Sequence, residues 1–180
     1  MILDEYTTDL LTFPGIIIRE FLHHYLADSN NLKVFEVCYF NKNKKPMGYV
    51  IHEEPTSLNI ALQICIIPFM ICSILCIFLT YSAYFPFVYL ADFNCNAIFL
   101  LLLWIGLSAG VQAFPSKENV CDLSLAIRNS NYSSSQLSIA KVFCGFFDAR
   151  LKFRKPMLFS LVFGLMLIQL LPMISIYLMN

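Results

Sequence analysis

The chain has 180 residues, 58% of them apolar, with 12 basic and 12 acidic side chains and a mean hydropathy of +0.68. Charged residues make up 13%, about half the share of an ordinary soluble domain. This composition excludes a highly charged soluble domain. A net charge of zero offers no basic excess for nucleic acid, and the expected partner is the lipid bilayer.

The N-terminus is acidic (Asp4, Glu5, Asp9), unlike the basic start of a secretory signal. Residues 10–27 are apolar apart from Arg19, Glu20, His23 and His24 and read as a first membrane helix. Pro14-Gly15 leaves a re-entrant hairpin open there. Residues 32–40 and 47–53 are runs rich in Val, Tyr, Phe and Ile around a polar turn, a β-hairpin pattern spanning 32–53. Pro46 and Gly48 mark its second strand as short or at an edge. The uncharged stretches 60–81, 97–113 and 157–179 follow as further membrane helices. The first and last of these exceed the roughly 18 residues that a crossing needs. Ser116 is placed to cap a short helix over 117–128, and 129–135 is a polar linker. Residues 137–153 are amphipathic, suited to the membrane surface. The fold expected is a single-domain, all-α, multi-pass membrane protein, with about four membrane helices and a small β-hairpin between helices 1 and 2.

Eleven of the 12 Lys and Arg lie in two alternate loops, 28–59 and 114–156. The positive-inside rule places both loops, and with them the hairpin and the region 117–155, in the cytoplasm. Both termini then lie outside, and so does 82–96. The seven cysteines form no C-x-x-C and read as reduced. The sequon Asn131-Tyr132-Ser133 falls in a cytoplasmic loop and is expected to be unused.

An ionisable cluster at membrane depth marks a functional site by default. In a helix, Arg19, Glu20 and His23 share one face, at spacings of three and four. A zinc protease helix carries His-Glu-x-x-His, two imidazoles on the metal and the Glu as general base. Here Glu20 and His23 hold the base and second-ligand positions, but the first is Arg19, whose guanidinium has no lone pair to give. On these residues alone, Arg19 pairs with an acid (Glu20, Glu118 or Asp122) and His23 makes a hydrogen bond. His52 and Glu53 are a further pair, either solvated at a strand end or lining a cleft. Nothing in the spacing of Glu118, Cys121 and Asp122 recommends them as replacement ligands.

Four motifs occur together: Phe-Pro-Gly-Ile-Ile-Ile-Arg-Glu-Phe-Leu-His at 13–23, Lys-Val-Phe-Glu-Val-Cys-Tyr-Phe at 33–40, Gly-Tyr-Val-Ile-His-Glu at 48–53 and Ala-Phe-Pro-Ser at 113–116. In this order and spacing the chain, over about residues 10–179, resembles a family of small bacterial membrane proteins classed as zinc metalloproteases, which is similar in turn to the site-two intramembrane proteases. The resemblance implies a helical membrane bundle with a hairpin after its first helix, in a bacterial cell membrane. It also implies a zinc-dependent peptidase activity with Glu20 as base and His23 as ligand. The family pattern places His at positions 19 and 112 and Asp at 119, where this chain has Arg19, Gln112 and Asn119. Three changed polar positions imply a lost metal site and no cofactor. The expected function is that of an inactive pseudoprotease holding a membrane client or peptide. Two alternatives stay open: an active zinc protease with altered ligands, in which Glu20 activates a zinc-bound water, and a small structural membrane subunit.

The charge distribution generates a topology test. Single cysteines introduced near Lys44, Asp92 and Lys152 should be labelled by an impermeant maleimide from the inside, outside and inside respectively. Labelling near Lys44 and Asp92 from one side would sink the four-crossing arrangement.

Overall fold

A computed structural model of the chain describes residues 5–89, 97–129, 134–153 and 156–179. These are mainly helical, with one small sheet. In chain order the elements are α1 (Glu5–Leu11), α2 (Phe13–Ser29), β1 (Val34–Cys38), β2 (Tyr49–His52), α3 (Leu58–Tyr89), α4 (Ala97–Val111), α5 (Lys117–Arg128), α6 (Ser134–Lys152) and α7 (Pro156–Met179).

The single helix expected over 10–27 is two helices. The chain breaks at Thr12, whose hydroxyl donates back to the Thr8 carbonyl at 2.8 Å. Pro14, two residues on, lacks an N–H and suits only the first turn of a new helix. The far end of α2 closes on a Schellman pattern. Asn31 takes φ 55°, its N–H reaches the Asp28 carbonyl at 2.9 Å, and the Leu32 N–H reaches the Ala27 carbonyl at 2.9 Å. Leu32 thereby packs with Leu26, Ala27 and Ile64 and aims the chain into the hairpin.

β1 and β2 pair antiparallel in the register Val34↔His52, Glu36↔Ile51, Val37↔Val50 and Cys38↔Tyr49, with an irregularity at Phe35. Both strands are shorter than the runs that announced them, because Met47-Gly48 is drawn against α2. A Cβ on Gly48 would meet Ile16 Cγ2 at 2.5 Å and Glu20 Cγ at 3.0 Å.

α3 runs eight residues past its expected end at 81, into the segment read as an outer loop. That segment has no Gly or charge to stop a helix before residue 90. α4 ends at Val111, two residues early, as the chain turns toward Pro115. α5 begins as expected: the Ser116 hydroxyl accepts the Asn119 N–H at 3.3 Å. Residues 90–96 with Asp92, the sequon and most of its linker (130–133), and Arg154 and Lys155 lie outside the described residues.

Among the described residues two helices are long and apolar enough to cross a membrane: α3 over Leu58–Ser82 and α7 over Pro156–Ile174. α4 is uncharged but has 15 residues. α2 has 17, about 25 Å, short of a hydrocarbon core of about 30 Å. The apolar windows of α3 and α7 are only 39% and 28% buried inside the molecule, unlike the core helices of a soluble domain. The helices pack through close backbone approach and an aromatic core. A Cβ on Gly15 would lie 2.0 Å from the Ser108 carbonyl oxygen, so α2 and α4 touch backbone to backbone there. Phe69, Phe114 and Phe163 interlock with centroids 5.0–5.6 Å apart, joined by Phe147 at 5.2 Å from Phe69.

Two glycines give a paired stability test. Gly15→Ala should lower stability by at least about 1–3 kcal/mol, because the contact it strikes is backbone and cannot yield. Gly145→Ala meets nothing within 4 Å and removes a helix-interior glycine, so it should be neutral or stabilising by about 0.5–1 kcal/mol. Thermal unfolding in detergent would read both, and equal effects would refute the packing of α2 on α4.

Candidate functional site

A cleft of about 620 Å³ opens between α2, β2, the start of α5 and the junction of α6 with α7. It gathers Arg19, Glu20 and His23 from α2, Gln112 from the end of α4 and Asn119 from α5. Five of the seven residues singled out from the sequence therefore share one cavity. His52 joins them through His23. Glu53 does not: its backbone N–H bonds to the Lys33 carbonyl at 2.9 Å and its side chain is exposed.

Arg19 is neutralised within its own helix. Its Nη2 lies 2.5 Å and its Nε 2.9 Å from Oε1 of Glu20, and Nη1 donates to the Phe114 carbonyl at 3.3 Å. Of the three acids the sequence offered, Glu20 is the partner. Both side chains are largely buried, where a lone charge would be costly and a hydrogen-bonded pair is tolerated.

His23 lies with Nδ1 3.6 Å from Glu20 Oε2 and Nε2 2.9 Å from Nε2 of His52. Nδ1 of His52 is 2.7 Å from the Glu53 carbonyl and donates to it, since a carbonyl can only accept. Nε2 of His52 is then the acceptor in a neutral ring, and His23 supplies the proton between the rings. Burial pushes the His52 imidazole below its ordinary value, aided by His23 and opposed by Asp122 and by the bond to the Glu53 carbonyl. Asp122, one turn beyond Asn119, moves the other way: burial raises its carboxyl, with His52 and His23 pulling it down.

The two remaining degenerate positions are also engaged. The Gln112 amide donates to Asp9 Oδ1 at 2.9 Å and to Thr12 Oγ1 at 2.7 Å, binding the α1–α2 break to the end of α4. At Asn119 it is the backbone carbonyl, not the side-chain amide, that accepts the Cys65 thiol at 3.4 Å. Among the described residues no three His, Cys, Asp or Glu side chains converge on a metal position. The donor set does not fit zinc: Arg19 brings a cation with no lone pair, Gln112 presents N–H groups to its neighbours, and His23 is the one intact ligand among the family positions. The six cysteines in the described residues are free.

Asp9 and Arg150 line the cleft as well, and the sequence reasoning passed over both. Asp9 had no local signal, because its partner Gln112 is 103 residues away. Arg150 had one: it follows Phe147 by three residues and Phe143 by seven, on the face that the aromatic residues bury.

Comparison of the chain with protein-family models, curated proteins and solved structures returns no match.

His52 generates a pH test. Its folded-state pKa lies below the ordinary 6.5, so the unfolded chain binds the proton first as pH falls. Stability from this group is full above about pH 6.5 and declines below it. Asp122, raised above 3.8, acts in the opposite sense at lower pH. The melting temperature should therefore fall between pH 7 and 5.5, and His52→Asn should flatten that fall. An unchanged slope in the variant would show that His52 is not held neutral.

Proposed function

We propose that the chain is a multi-pass membrane protein of metalloprotease-like architecture whose former catalytic cleft holds an extended segment of a membrane client. The observation that carries this reading is the cleft itself. The positions that correspond to a metal centre in the resembling family line it together, and ion pairing and hydrogen bonds engage the side chains of Arg19, Glu20, His23 and Gln112.

The membrane part of the reading is supported by inverted polarity. On α2, Glu20 and His23 are buried while Ile17, Phe21 and Tyr25, a stripe at spacings of four, are exposed. Met70, Ile74 and Phe78 form the same kind of stripe on α3. Thr8, Thr12, Ser108, Gln112 and Ser160 lie inside. Polar groups inside and large apolar groups outside suit a lipid solvent and would aggregate in water. In this reading α2 and α4 join α3 and α7 in the membrane, with the hairpin on the cytoplasmic side and both termini outside.

The client part rests on β2. Met47 to Ile51 line the cleft, and among the described residues β2 pairs with β1 alone. An unpaired strand edge offers backbone donors and acceptors to an extended chain, and apolar neighbours such as Ile16, Val50 and Ile64 suit alternate side chains. Glu20, hydrogen-bonded to Arg19 and below His23, holds its neighbours in place and does not act as a base in this reading.

Elemental analysis and peptide binding test it together. Purified protein should hold zinc no more tightly than micromolar, cleave no membrane substrate and bind an apolar acetylated hexapeptide in nanodiscs, with amide shifts at Tyr49 to Ile51. Zinc bound one-to-one through mild chelation, or a cleavage abolished by Glu20→Gln, would instead establish the active-protease alternative. A cleft that binds no peptide would leave the structural-subunit reading.

A further inference from the structure

Among the described residues two guanidinium groups line the cleft, and of these Arg19 alone is paired with a carboxylate. Arg19 is paired with Glu20. Arg150 on α6 is fixed without being neutralised. Its Nε donates to Ser160 Oγ at 3.2 Å, and its guanidinium carbon lies 5.4 Å from the centroid of the Phe114 ring. These contacts hold the plane of the fork. Among the described residues they leave Nη1 and Nη2 with no hydrogen-bond partner, and no carboxylate lies within 4.0 Å. Glu5 and Asp9 act on it only from farther across the cleft, and Arg19 opposes it. Burial and Arg19 push Arg150 below its ordinary value, so the cation is held where water stabilises it poorly. A held, partly desolvated fork that faces a cavity, with no counter-ion among the described residues, is suited to receive an anion.

The anion is a carboxylate. Among the described lining residues, Glu5, Asp9, Glu20, Glu36 and Glu118 stand against Arg19, Lys117 and Arg150, surroundings that repel a phosphate dianion more than a single carboxylate charge. A single planar charge matches the fork geometry. We propose that Arg150 is the specificity-determining group of the cleft and receives a carboxylate of the client, an acidic side chain or a C-terminus, that follows the apolar stretch lying along β2. This rests on the client-binding reading above.

The test uses full-length protein in phosphatidylcholine nanodiscs and three peptides: Ac-Leu-Val-Tyr-Val-Ile-Asp-amide, its Asn counterpart, and the Asn peptide with a free C-terminus. Wild type should bind either carboxylate peptide about tenfold or more tighter than the neutral one, the range of a charge-assisted hydrogen bond. Whichever of the two shows the larger gain identifies the source. Arg150→Gln should erase the preference, and Arg150→Lys should keep a few-fold remnant, since it retains charge without the fork. Equal binding of all three peptides by wild type, a measurement that needs no variant, overturns the Arg150 proposal and leaves client binding standing. A preference that persists in Arg150→Gln also overturns it. Absence of binding by every peptide overturns both readings.

Discussion

The contact between Arg19 and Glu20 is the constraint around which this molecule is arranged. A guanidinium and a carboxylate sit side by side on α2, both nearly removed from solvent. Neither could be buried alone, since an uncompensated buried charge costs about 3–5 kcal/mol. Their pairing lets α2 turn its polar face inward. From there Arg19 reaches the Phe114 carbonyl and ties α2 to the link between α4 and α5. Glu20 lies under Gly48, where the hairpin backbone comes too close for any side chain. One pair thus sets the position of the helix, the hairpin above it and the floor of the cleft.

Polarity inside demands something apolar outside. The helices meet through small residues, Gly15 against Ser108 and Gly110 against Cys76 and Gly164, so that backbones approach closely and large side chains are free to face outward. This is the packing expected where lipid is as apolar as leucine and burying leucine gains nothing. Buried hydroxyls follow the same logic. Thr80 and Ser108 bond to carbonyls one turn back, at 2.6 Å in each case, so they leave no unsatisfied group inside the bundle.

The cleft inherits its chemistry from these choices. A guanidinium stands where a metal would need a lone pair, and the two imidazoles, His23 and His52, bond to each other. They assemble a rigid polar floor beneath a strand with a free edge. Rigid floors of this kind favour binding, because little entropy remains to be lost when a ligand docks. In the proposed reading the chemistry that remains is recognition, by backbone along β2 and by charge at Arg150.

The sequence by itself determined the elements whose causes are local. Charge-free runs placed α4 and α7 to within a few residues and located α3, whose end lies eight residues further on, and Ser116 announced the start of α5. A polar turn between Val- and Tyr-rich runs placed the hairpin, and adjacency supplied Glu20 as a partner for Arg19. Gathering Glu20, His23, Gln112 and Asn119 at one site came from motif order, not from any local rule. Pro14-Gly15 signalled an interruption in 10–27, but the tertiary structure decided its place, since one of the bonds that hold Thr12 comes from Gln112, 100 residues away. It alone brought His52 to His23 across 29 residues, and turned Arg150 into the cleft while leaving Glu53 in solvent. The physical reason is that propensity and periodicity act within a turn or two of helix. The partner of a buried polar side chain is set by how whole elements pack, and that information lies in no single segment.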